Sequence, residues 1–298
     1  MMNMSHDMGN DNQNFLHEIE QLYGKDVRDE IRYRQIYHKI GRLMDGPLDA
    51  KDGGGDNPSV KINYTIWVLW LQGIEKAPRL IKKCHDALKA NCPEEYQIIL
   101  LNERNLYQYI QLPDDILEKY HQGCMTHTHF SDIVRMELLY HYGGCWIDAT
   151  VYCSAPIPLY FLSGPIFFFK RRFSCSVIKG SSWWIYAEKG EPIIRETRRI
   201  LLHYWHENST LCEYFLVHII LSRVIDTYFD AREDYLQMPY FSNENPHYLA
   251  EQLGAEYDKE RWDIIKEISK IHKLTYKARF LRGDIYNFYT ALLENKLY

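Results

Sequence analysis

The sequence predicts an α/β protein with a single, mainly parallel sheet flanked by helices and preceded by an N-terminal helical arm. Apolar runs rich in β-branched and aromatic residues alternate with helical patterns between residues 60 and 158. This alternation is typical of parallel sheets, because parallel strands need crossover connections. The chain has 298 residues, of which 46% are hydrophobic, so it can bury one large core or two modest ones.

The first 59 residues are predicted to form an arm and a linker ahead of the globular body, which we expect at 60–298. Residues 13–44 carry apolar residues at helical spacing. The glycine-rich stretch 52–58 is typical of a loop or linker. The apolar stripe of the arm could pack on the body, pair two chains or contact a membrane-bound partner. Packing within the same chain is the commonest use of such a stripe, and the oligomeric state stays open.

The elements of the body follow from apolar runs, helical periodicity and turn residues. Tyr64–Leu71 is continuously apolar, which is the pattern of a strand buried on both faces. The next predicted elements are helix Ala77–Asn91, strand Tyr96–Leu101, helices Glu103–Ile110 and Asp114–Tyr120, helix 128–142 and strand 145–151. Beyond Pro158 we predict strands Ile166–Phe169 and Val177–Tyr186, helices Pro192–Trp205 and Leu211–Tyr228, and a mixed tail from Tyr235.

The composition limits which kinds of binding partner and which cellular compartment we expect for this protein. The net charge is −5, from 35 basic and 40 acidic residues, so the basic excess of a nucleic-acid binder is missing and we expect no nucleic-acid partner. Seven cysteines without a C-x-x-C pair argue against a disulfide framework or a zinc ribbon, and favour a reducing compartment. No signal core begins the sequence, and no apolar run approaches the roughly 20 residues of a membrane span. We therefore expect a cytoplasmic protein that is at most peripheral to a membrane.

The most informative stretch of the sequence is 131–150, SDIVRMELLYHYGGCWIDAT. Asp132 and Arg135 are three positions apart on a predicted helix, so their side chains project together. A carboxylate accepts hydrogen bonds from sugar hydroxyls, and a guanidinium donates several in a fixed fork. The pair suits a site that binds sugar hydroxyls together with a phosphate. A surface ion pair of little energetic consequence is the alternative.

The strand predicted at 145–151 adds an acid to this candidate site. After the Gly143-Gly144 stop, alternation would place Trp146, Asp148 and Thr150 on one face and apolar residues on the other. A buried acid is costly unless it is paired or binds a metal ion, and ligands collect at the carboxyl ends of parallel strands. We predict that Asp148 contacts a nucleotide ribose or a divalent cation. A buried Asp that caps a nearby loop is the alternative.

Two further segments carry candidate binding residues. Trp70 ends the first predicted strand and precedes Gln72 and Gly73, so its indole could stack on a base while Gln72 bonds to the base edge. A core Trp is an equally good interpretation. In IHKLTYK (271–277), His272 could ligate a metal ion and Lys273 could neutralise phosphate. Both residues could also be structural.

The run IWVLWLQGIEKAPRLIKKC (66–84), followed by HFSDIVRMELLYHYGGCWIDATVYCSAPIP (129–158), resembles the capsular polysaccharide synthesis family of bacterial glycosyltransferases. That family is similar to a wider group of retaining enzymes with an SDxxR helix and a GG-x-[YW]-x-D-x-[DT] strand. The group includes the Och-type mannosyltransferases and the glucosylating clostridial toxins. The clear match covers residues 62–158, and the motif is specific for the superfamily but not for donor or acceptor.

The resemblance implies a GT-A-type fold with a Rossmann-like sheet, in which 60–158 binds the nucleotide sugar and 159–298 forms the acceptor side. It implies transfer of a hexose, with retention, from a UDP-linked sugar to a hydroxyl of a saccharide or lipid-linked saccharide in capsular or other surface polysaccharide synthesis. By the matching motifs, Asp132 and Arg135 hold the donor sugar, and Asp148 is the first acid of the DxD motif. Trp70 lies beside the base, next to Gln72 and Gly73.

The second acid of DxD is usually the direct metal ligand, and at that position the sequence has Thr150. A neutral hydroxyl binds a hard cation such as Mn²⁺ or Mg²⁺ far less well than a carboxylate does. Either Asp148 and Thr150 hold the metal with help from His272, or cation dependence is weak and Lys273 stabilises the leaving diphosphate. Two rival functions stay open: a non-catalytic sugar- or nucleotide-binding scaffold, and a metal-dependent phosphohydrolase that uses Asp132 and Asp148.

Overall fold

The computed structural model describes residues 7–45, 57–171, 176–277 and 285–297. The helices are α1 (Asp7–Tyr23), α2 (Lys25–Ile40), α3 (Arg79–Asn91), α4 (Asp114–His121), α5 (His127–Tyr142), α6 (Pro192–Glu207), α7 (Leu216–Thr227), α8 (Phe229–Gln237), α9 (Tyr248–Gln252), α10 (Lys259–Ile268) and α11 (Phe288–Leu293). The strands are β1 (Thr65–Leu69), β2 (Gln97–Leu101), β3 (Gly144–Ile147), β4 (Val151–Cys153), β5 (Ile166–Lys170), β6 (Gly180–Ala187) and β7 (Ile271–Lys273). Within the described ranges, no helix combines the length and apolar character needed to cross a bilayer.

The central sheet has five strands in the order β2-β1-β3-β6-β5. β1 pairs in parallel with both β2 and β3, while β6 is antiparallel to its neighbours β3 and β5. Among the described strands of this sheet, β6 is therefore alone in running against the other four. The predicted fold class is confirmed: an α/β protein with one mainly parallel sheet, flanked by helices and preceded by a helical arm.

The carboxyl ends of β1 and β3 lie side by side, because Ile66 is in register with Cys145 and Trp67 with Trp146. All five residues of β1 and all four of β3 are buried, as expected for strands covered on both faces. The Trp67 indole also donates a hydrogen bond to the Gly143 carbonyl oxygen at 2.9 Å. This bond ties the centre of the sheet to the point where α5 turns into β3.

The turn from α5 into β3 needs both of its glycines. Gly143 and Gly144 have φ of +65° and +88°, in the left-handed region that side chains other than glycine rarely adopt. A Cβ at Gly144 would lie 2.2 Å from the Thr65 carbonyl oxygen, and one at Gly143 would lie 2.6 Å from the Lys189 backbone nitrogen. The helix therefore passes directly into the strand, which fixes α5 relative to the end of β3.

The prediction of a single strand over 145–151 is wrong. β3 ends at Ile147, and a tight turn follows in which Val151 donates its backbone N–H to the Asp148 carbonyl. β4 then pairs antiparallel with β7 in a separate two-stranded sheet, with Val151 opposite Lys273. Asp148 and Thr150 thus lie in a turn between two sheets rather than on one face of a strand.

A second predicted element is also wrong. The helix expected at Glu103–Ile110 is a short 3-10 turn, Leu106–Gln108. The side chains of Asn102 and Asn105 accept hydrogen bonds from nearby backbone N–H groups, at 2.8 Å from Arg104 and 2.8 Å from Asn102 respectively. Such local bonds compete with helix formation. The other predicted helices and strands of the body are present, with ends shifted by a few residues.

The N-terminal arm packs on the body of its own chain. Tyr33, Ile36 and Ile40 on α2 are buried in the same core cluster as the central sheet. The Tyr37 hydroxyl donates to Asp226 on α7 at 2.7 Å. Of the predicted linker, residues 52–56 lie outside the described residues.

The end of the chain returns to the first part of the body. A second hydrophobic cluster joins Leu80 and Cys84 of α3 to Trp262 of α10 and Phe288 of α11. This cluster holds the segment that contains β7 against β4. Residues from both predicted halves of the body, 60–158 and 159–298, therefore build this side of the molecule together.

Candidate functional site

A charged cluster lies where β3 ends, and it contains most of the predicted site residues. Asp132 and Arg135 come from α5, Asp148 and Thr150 from the turn between β3 and β4, and Lys273 from β7. Hydrogen bonds connect all five side chains. The cluster occupies the carboxyl end of a central parallel strand, where α/β proteins commonly bind their ligands.

Arg135 is the hub of the cluster. One terminal nitrogen donates to Asp132 Oδ1 and the other donates to Asp148 Oδ1 at 3.3 Å. Its guanidinium carbon lies 4.8 Å from the centre of the Trp146 ring, within the range of a cation–π contact. Asp132 and Arg135 are only 5% and 3% exposed. The alternative of a surface ion pair is therefore excluded.

Asp148 is held as an anion by three donors. Its Oδ1 accepts from the Trp146 indole at 2.8 Å as well as from Arg135, and its Oδ2 accepts from Lys273 Nζ at 2.6 Å. Burial alone would raise the pKa of Asp148, but the positive charges of Lys273 and Arg135 outweigh burial and lower that pKa. Asp148 is thus ionised at neutral pH.

Lys273 bridges Asp148 to Thr150. Its ammonium nitrogen lies 2.6 Å from Thr150 Oγ1 as well as 2.6 Å from Asp148 Oδ2. The backbone supports this position, because Val151 and Lys273 are paired in the β4–β7 ladder and Leu274 N–H donates to the Thr150 carbonyl at 3.0 Å. The side chain of Lys273 remains 19% exposed and that of Asp148 26% exposed, so a ligand can reach both.

His272 lies outside the cluster. It is fully buried, its Nε2 shares a hydrogen bond with Ser154 Oγ at 2.9 Å, and its ring lies 5.8 Å from that of Trp262. Burial lowers the pKa of His272 to about 3. Adjacent residues of a strand point to opposite faces, so Lys273 reaches Asp148 while His272 turns to the hydrophobic cluster on α10.

The side chains do not fit the predicted metal site. Of the predicted ligands Asp148, Thr150 and His272, the structure brings only the first two together, and Lys273 donates to an oxygen of each. Throughout the described part of the chain, no three His, Cys, Asp or Glu side chains are grouped so that they could hold a metal ion.

Trp70 lies just beyond the end of β1 and has the features of a ligand-binding indole. It is partly buried, and its Nε1 is buried with no hydrogen-bond partner among the described residues. Tyr276 packs edge-on against it, with ring centres 5.4 Å apart. Gln72 is exposed, and Gly73 closes the turn by donating its N–H to the Trp70 carbonyl. Because Tyr276 follows Lys273 by three residues, one short segment borders both Trp70 and the charged cluster.

Two residues near the start of α7 were missed by the sequence analysis. Burial raises the pKa of Tyr214, and the charges of Asp132 and Asp148 add to this effect. The Tyr214 ring packs edge-on against that of His129 on α5, with ring centres 5.7 Å apart. Burial lowers the pKa of His218 to about 3, and the Arg135 charge acts in the same direction. Neither residue belongs to a motif, and only the packing of α7 reveals them.

The fold and the charged cluster after β3 define an α/β protein of the class in which ligands commonly bind at the carboxyl ends of parallel strands. The sequence pattern of the capsular polysaccharide synthesis protein family matches residues 21–292. The chain belongs to this family, which confirms the family predicted from its motifs.

Two other proteins are similar to this chain. The O-glycosyltransferase PaGT of Phomopsis amygdali is 25% identical over 177 residues, which is 53% of this chain and 43% of that protein. The chain thus spans less than half the length of this relative. Among solved structures, the PaToxG glycosyltransferase has a TM-score of 0.41 at 13% identity, and the alignment covers 72% of this chain and 86% of that one.

Proposed function

We propose that the protein is a glycosyltransferase that moves a hexose from a nucleotide sugar, UDP-linked, to an acceptor hydroxyl. The observation that carries this proposal is the convergence of Asp132, Arg135 and Asp148 in one partly open cluster beside a lysine. Membership of the capsular polysaccharide synthesis protein family supports the same activity, as does the likeness to PaGT.

The site offers a separate group for each part of such a donor. Trp70, whose indole N–H has no partner in the described part of the chain, suits the base. Asp132 and Arg135 suit the hydroxyls of the transferred sugar, because one accepts hydrogen bonds and the other donates them. Lys273 and Arg135 supply positive charge for the diphosphate. The proposed catalysis is therefore positioning of the donor together with stabilisation of the departing diphosphate.

The proposed acceptor and biological role are supported by the family. A saccharide or a lipid-linked saccharide suits a member of a capsular polysaccharide synthesis family, and retention of anomeric configuration is the outcome that its motifs imply. A lipid-linked acceptor would bring the enzyme to the inner face of a membrane. The cytoplasmic location stays a prediction.

The test of this proposal is turnover of a donor panel. Slow hydrolysis of one nucleotide sugar should be measurable without an acceptor, and that donor should raise the melting temperature, because it binds only the folded state. Asp132→Asn should reduce hydrolysis at least a hundredfold, while Asp263→Asn, which changes a half-exposed acid on α10, should leave it unchanged. Failure of every donor to bind or react would sink the proposal.

A non-catalytic scaffold is the second candidate, and Thr150 in place of an acid is the observation that favours it. Such a protein would bind a nucleotide sugar without consuming it. Binding by thermal shift together with undetectable release of nucleoside diphosphate, in the presence and absence of candidate acceptors, would favour the scaffold. Turnover that disappears in Asp132→Asn would favour the enzyme.

A further inference from the structure

We propose that Lys273 takes the place of the divalent cation, so that the protein binds and activates its donor without a metal ion. This inference rests on the proposed function, since it concerns how the same site holds the diphosphate. Of the two alternatives that the sequence leaves open, it develops the one in which Lys273 stabilises the diphosphate, against the one in which Asp148, Thr150 and His272 hold Mn²⁺ or Mg²⁺. The choice between them rests on where the side chain of Lys273 lies.

The ammonium group lies where the predicted cation would bind. Lys273 Nζ is 2.6 Å from Asp148 Oδ2 and 2.6 Å from Thr150 Oγ1, the two side chains at the positions of the DxD acids. An ammonium group has three hydrogens to donate. Two of them are used by these contacts within the described residues, which leaves one for an oxygen of the donor diphosphate.

The position of Lys273 is built into the fold. Its strand pairs with β4 directly after Thr150, and backbone hydrogen bonds flank the contact. The neighbouring His272 is anchored by burial and by its bond to Ser154. Because both ends of this contact are fixed by the same two-stranded sheet, the ammonium needs little rearrangement to meet a ligand.

The charge of the cluster does not call for a divalent ion. The carboxylates of Asp132 and Asp148 are already balanced by Arg135 and Lys273. A hard cation is attracted by uncompensated carboxylate oxygens and binds a neutral hydroxyl poorly. To bind at Asp148 and Thr150, it would have to displace an ammonium from two short hydrogen bonds. An incoming diphosphate displaces neither contact, because it can accept the remaining N–H of Lys273.

In the proposed transfer reaction, the ammonium group of Lys273 acts as a fixed positive charge. The bond between the anomeric carbon and the diphosphate oxygen breaks, and its electron pair leaves with the diphosphate. A new bond forms between that carbon and the acceptor oxygen, whose proton passes to the departing diphosphate. Lys273 keeps its own proton throughout and stabilises the negative charge that develops on the leaving oxygen.

The experiment measures two quantities, the affinity for the nucleoside diphosphate and the rate of donor hydrolysis. Each is measured once in buffer with EDTA and once in buffer with Mn²⁺. The wild-type protein should show the same values within about threefold in both. Lys273→Ala should bind at least thirtyfold more weakly in EDTA, while Lys273→Arg, which keeps the charge, should stay within about tenfold of wild type. Lys270→Ala removes an exposed lysine three positions earlier and should change nothing.

A double variant provides the converse test. Thr150→Asp combined with Lys273→Ala adds a second acid beside Asp148 and removes the ammonium, so binding by this variant should become dependent on Mn²⁺. Circular dichroism and the melting temperature show whether each variant is folded. Wild-type binding that is lost in EDTA and restored by Mn²⁺ would overturn the role of Lys273 and leave the proposed function intact. Failure to bind any nucleotide sugar under either condition would overturn both.

Discussion

At the scale of single residues, the geometry of the cluster depends on Arg135. Its guanidinium reaches Asp132 and Asp148 from different nitrogens and also covers the Trp146 ring. A rigid planar fork can hold two carboxylates at a set separation, which an ammonium on a flexible stem cannot. Without it the two carboxylates would repel each other. Arg135 therefore sets the width of the site as well as part of its charge.

Trp70 allows a prediction about the nucleotide. Trp70→Phe keeps an aromatic face but removes the indole N–H that has no partner among the described residues. Loss of one hydrogen bond to a ligand, roughly 1 kcal/mol, should weaken binding of the nucleoside diphosphate and of the intact donor by the same factor, about fivefold. Calorimetric titration with both ligands measures this.

Trp205 supplies the matched control for that prediction. Its indole N–H is also buried without a partner among the described residues, but it lies on α6 in the hydrophobic core. Trp205→Phe should leave nucleotide affinity unchanged in a folded protein. If Trp70→Phe binds both ligands as tightly as the wild type does, the base does not lie against Trp70.

Some contacts of the site could be predicted from local spacing in the sequence, and others could not. Spacing in a helix determines that Asp132 and Arg135 meet, so their contact can be predicted. The contact between Asp148 and Lys273 spans 125 positions and depends on β4 pairing with β7, which no local pattern specifies. Once Lys273 faces Asp148, however, alternation along a strand turns His272 away. The sequence analysis offered His272 as a metal ligand or Lys273 as a phosphate ligand, and the strand directs only Lys273 to the site.

At the scale of elements, the turn from α5 to β3 allows a prediction about stability. Gly144→Ala would place a Cβ 2.2 Å from the Thr65 carbonyl oxygen, at φ of +88°. Backbone atoms on both sides must move, so we expect a loss of more than about 3 kcal/mol of unfolding free energy. Gly123→Ala is the matched control, because φ there is +77° but nothing lies within 4 Å.

Denaturant unfolding distinguishes the two glycine variants. Gly123→Ala carries only the backbone strain of a positive φ, about 1 kcal/mol, while Gly144→Ala carries the collision as well. Equal losses in the two variants would mean that close approach of the backbones at Gly144 is not what requires glycine. Loss of donor binding in Gly144→Ala would follow from displacement of α5, which carries Asp132 and Arg135.

The elements themselves were predictable to different degrees. The continuous apolar run that contains β1 and the spacing of α5 identify buried elements, because burial on both faces and helical periodicity leave clear patterns. The break after Ile147 leaves none. Asp148 makes the last bond to β6, from its N–H to the Trp183 carbonyl, and its own carbonyl then accepts from Val151 in the turn that leads to β4. The pairing of β4 with β7 depends on distant residues.

At the scale of the whole molecule, the arm and the end of the chain both support the site from outside. α2 contacts α7 through Tyr37 and Asp226, and Arg32 on α2 forms an ion pair at 2.6 Å with Glu213, the residue before Tyr214. On the other side, the cluster around Trp262 holds β7 in place. The apolar spacing of the arm predicts a packed helix but not its partner, because the surface that it meets is assembled only in the folded body.

The buried imidazole of His272 makes stability depend on pH. Its pKa is about 3 in the folded protein and 6.5 in an ordinary environment, so between these values the unfolded chain binds a proton that the folded protein excludes. Acid therefore favours unfolding in this window. Between pH 6.5 and pH 5, proton uptake by His272 lowers the unfolding free energy by about 2 kcal/mol. Above the pKa of His272 in the unfolded chain this destabilisation is absent.

The unfolding free energy at a series of pH values tests this directly. The unfolding free energy of the wild-type protein should fall steadily as the pH falls from 6.5. His272→Leu takes up one proton fewer on unfolding, so its unfolding free energy should fall by about 1.4 kcal/mol less per pH unit. Ser154→Ala removes the hydroxyl bonded to His272 but keeps the imidazole, so it should be less stable at every pH while retaining the wild-type slope. A His272→Leu profile parallel to that of the wild type would show that the imidazole takes up no proton on unfolding. The same measurement also bears on the site, because a neutral, enclosed His272 leaves Lys273 as the group from this strand that carries charge to Asp148.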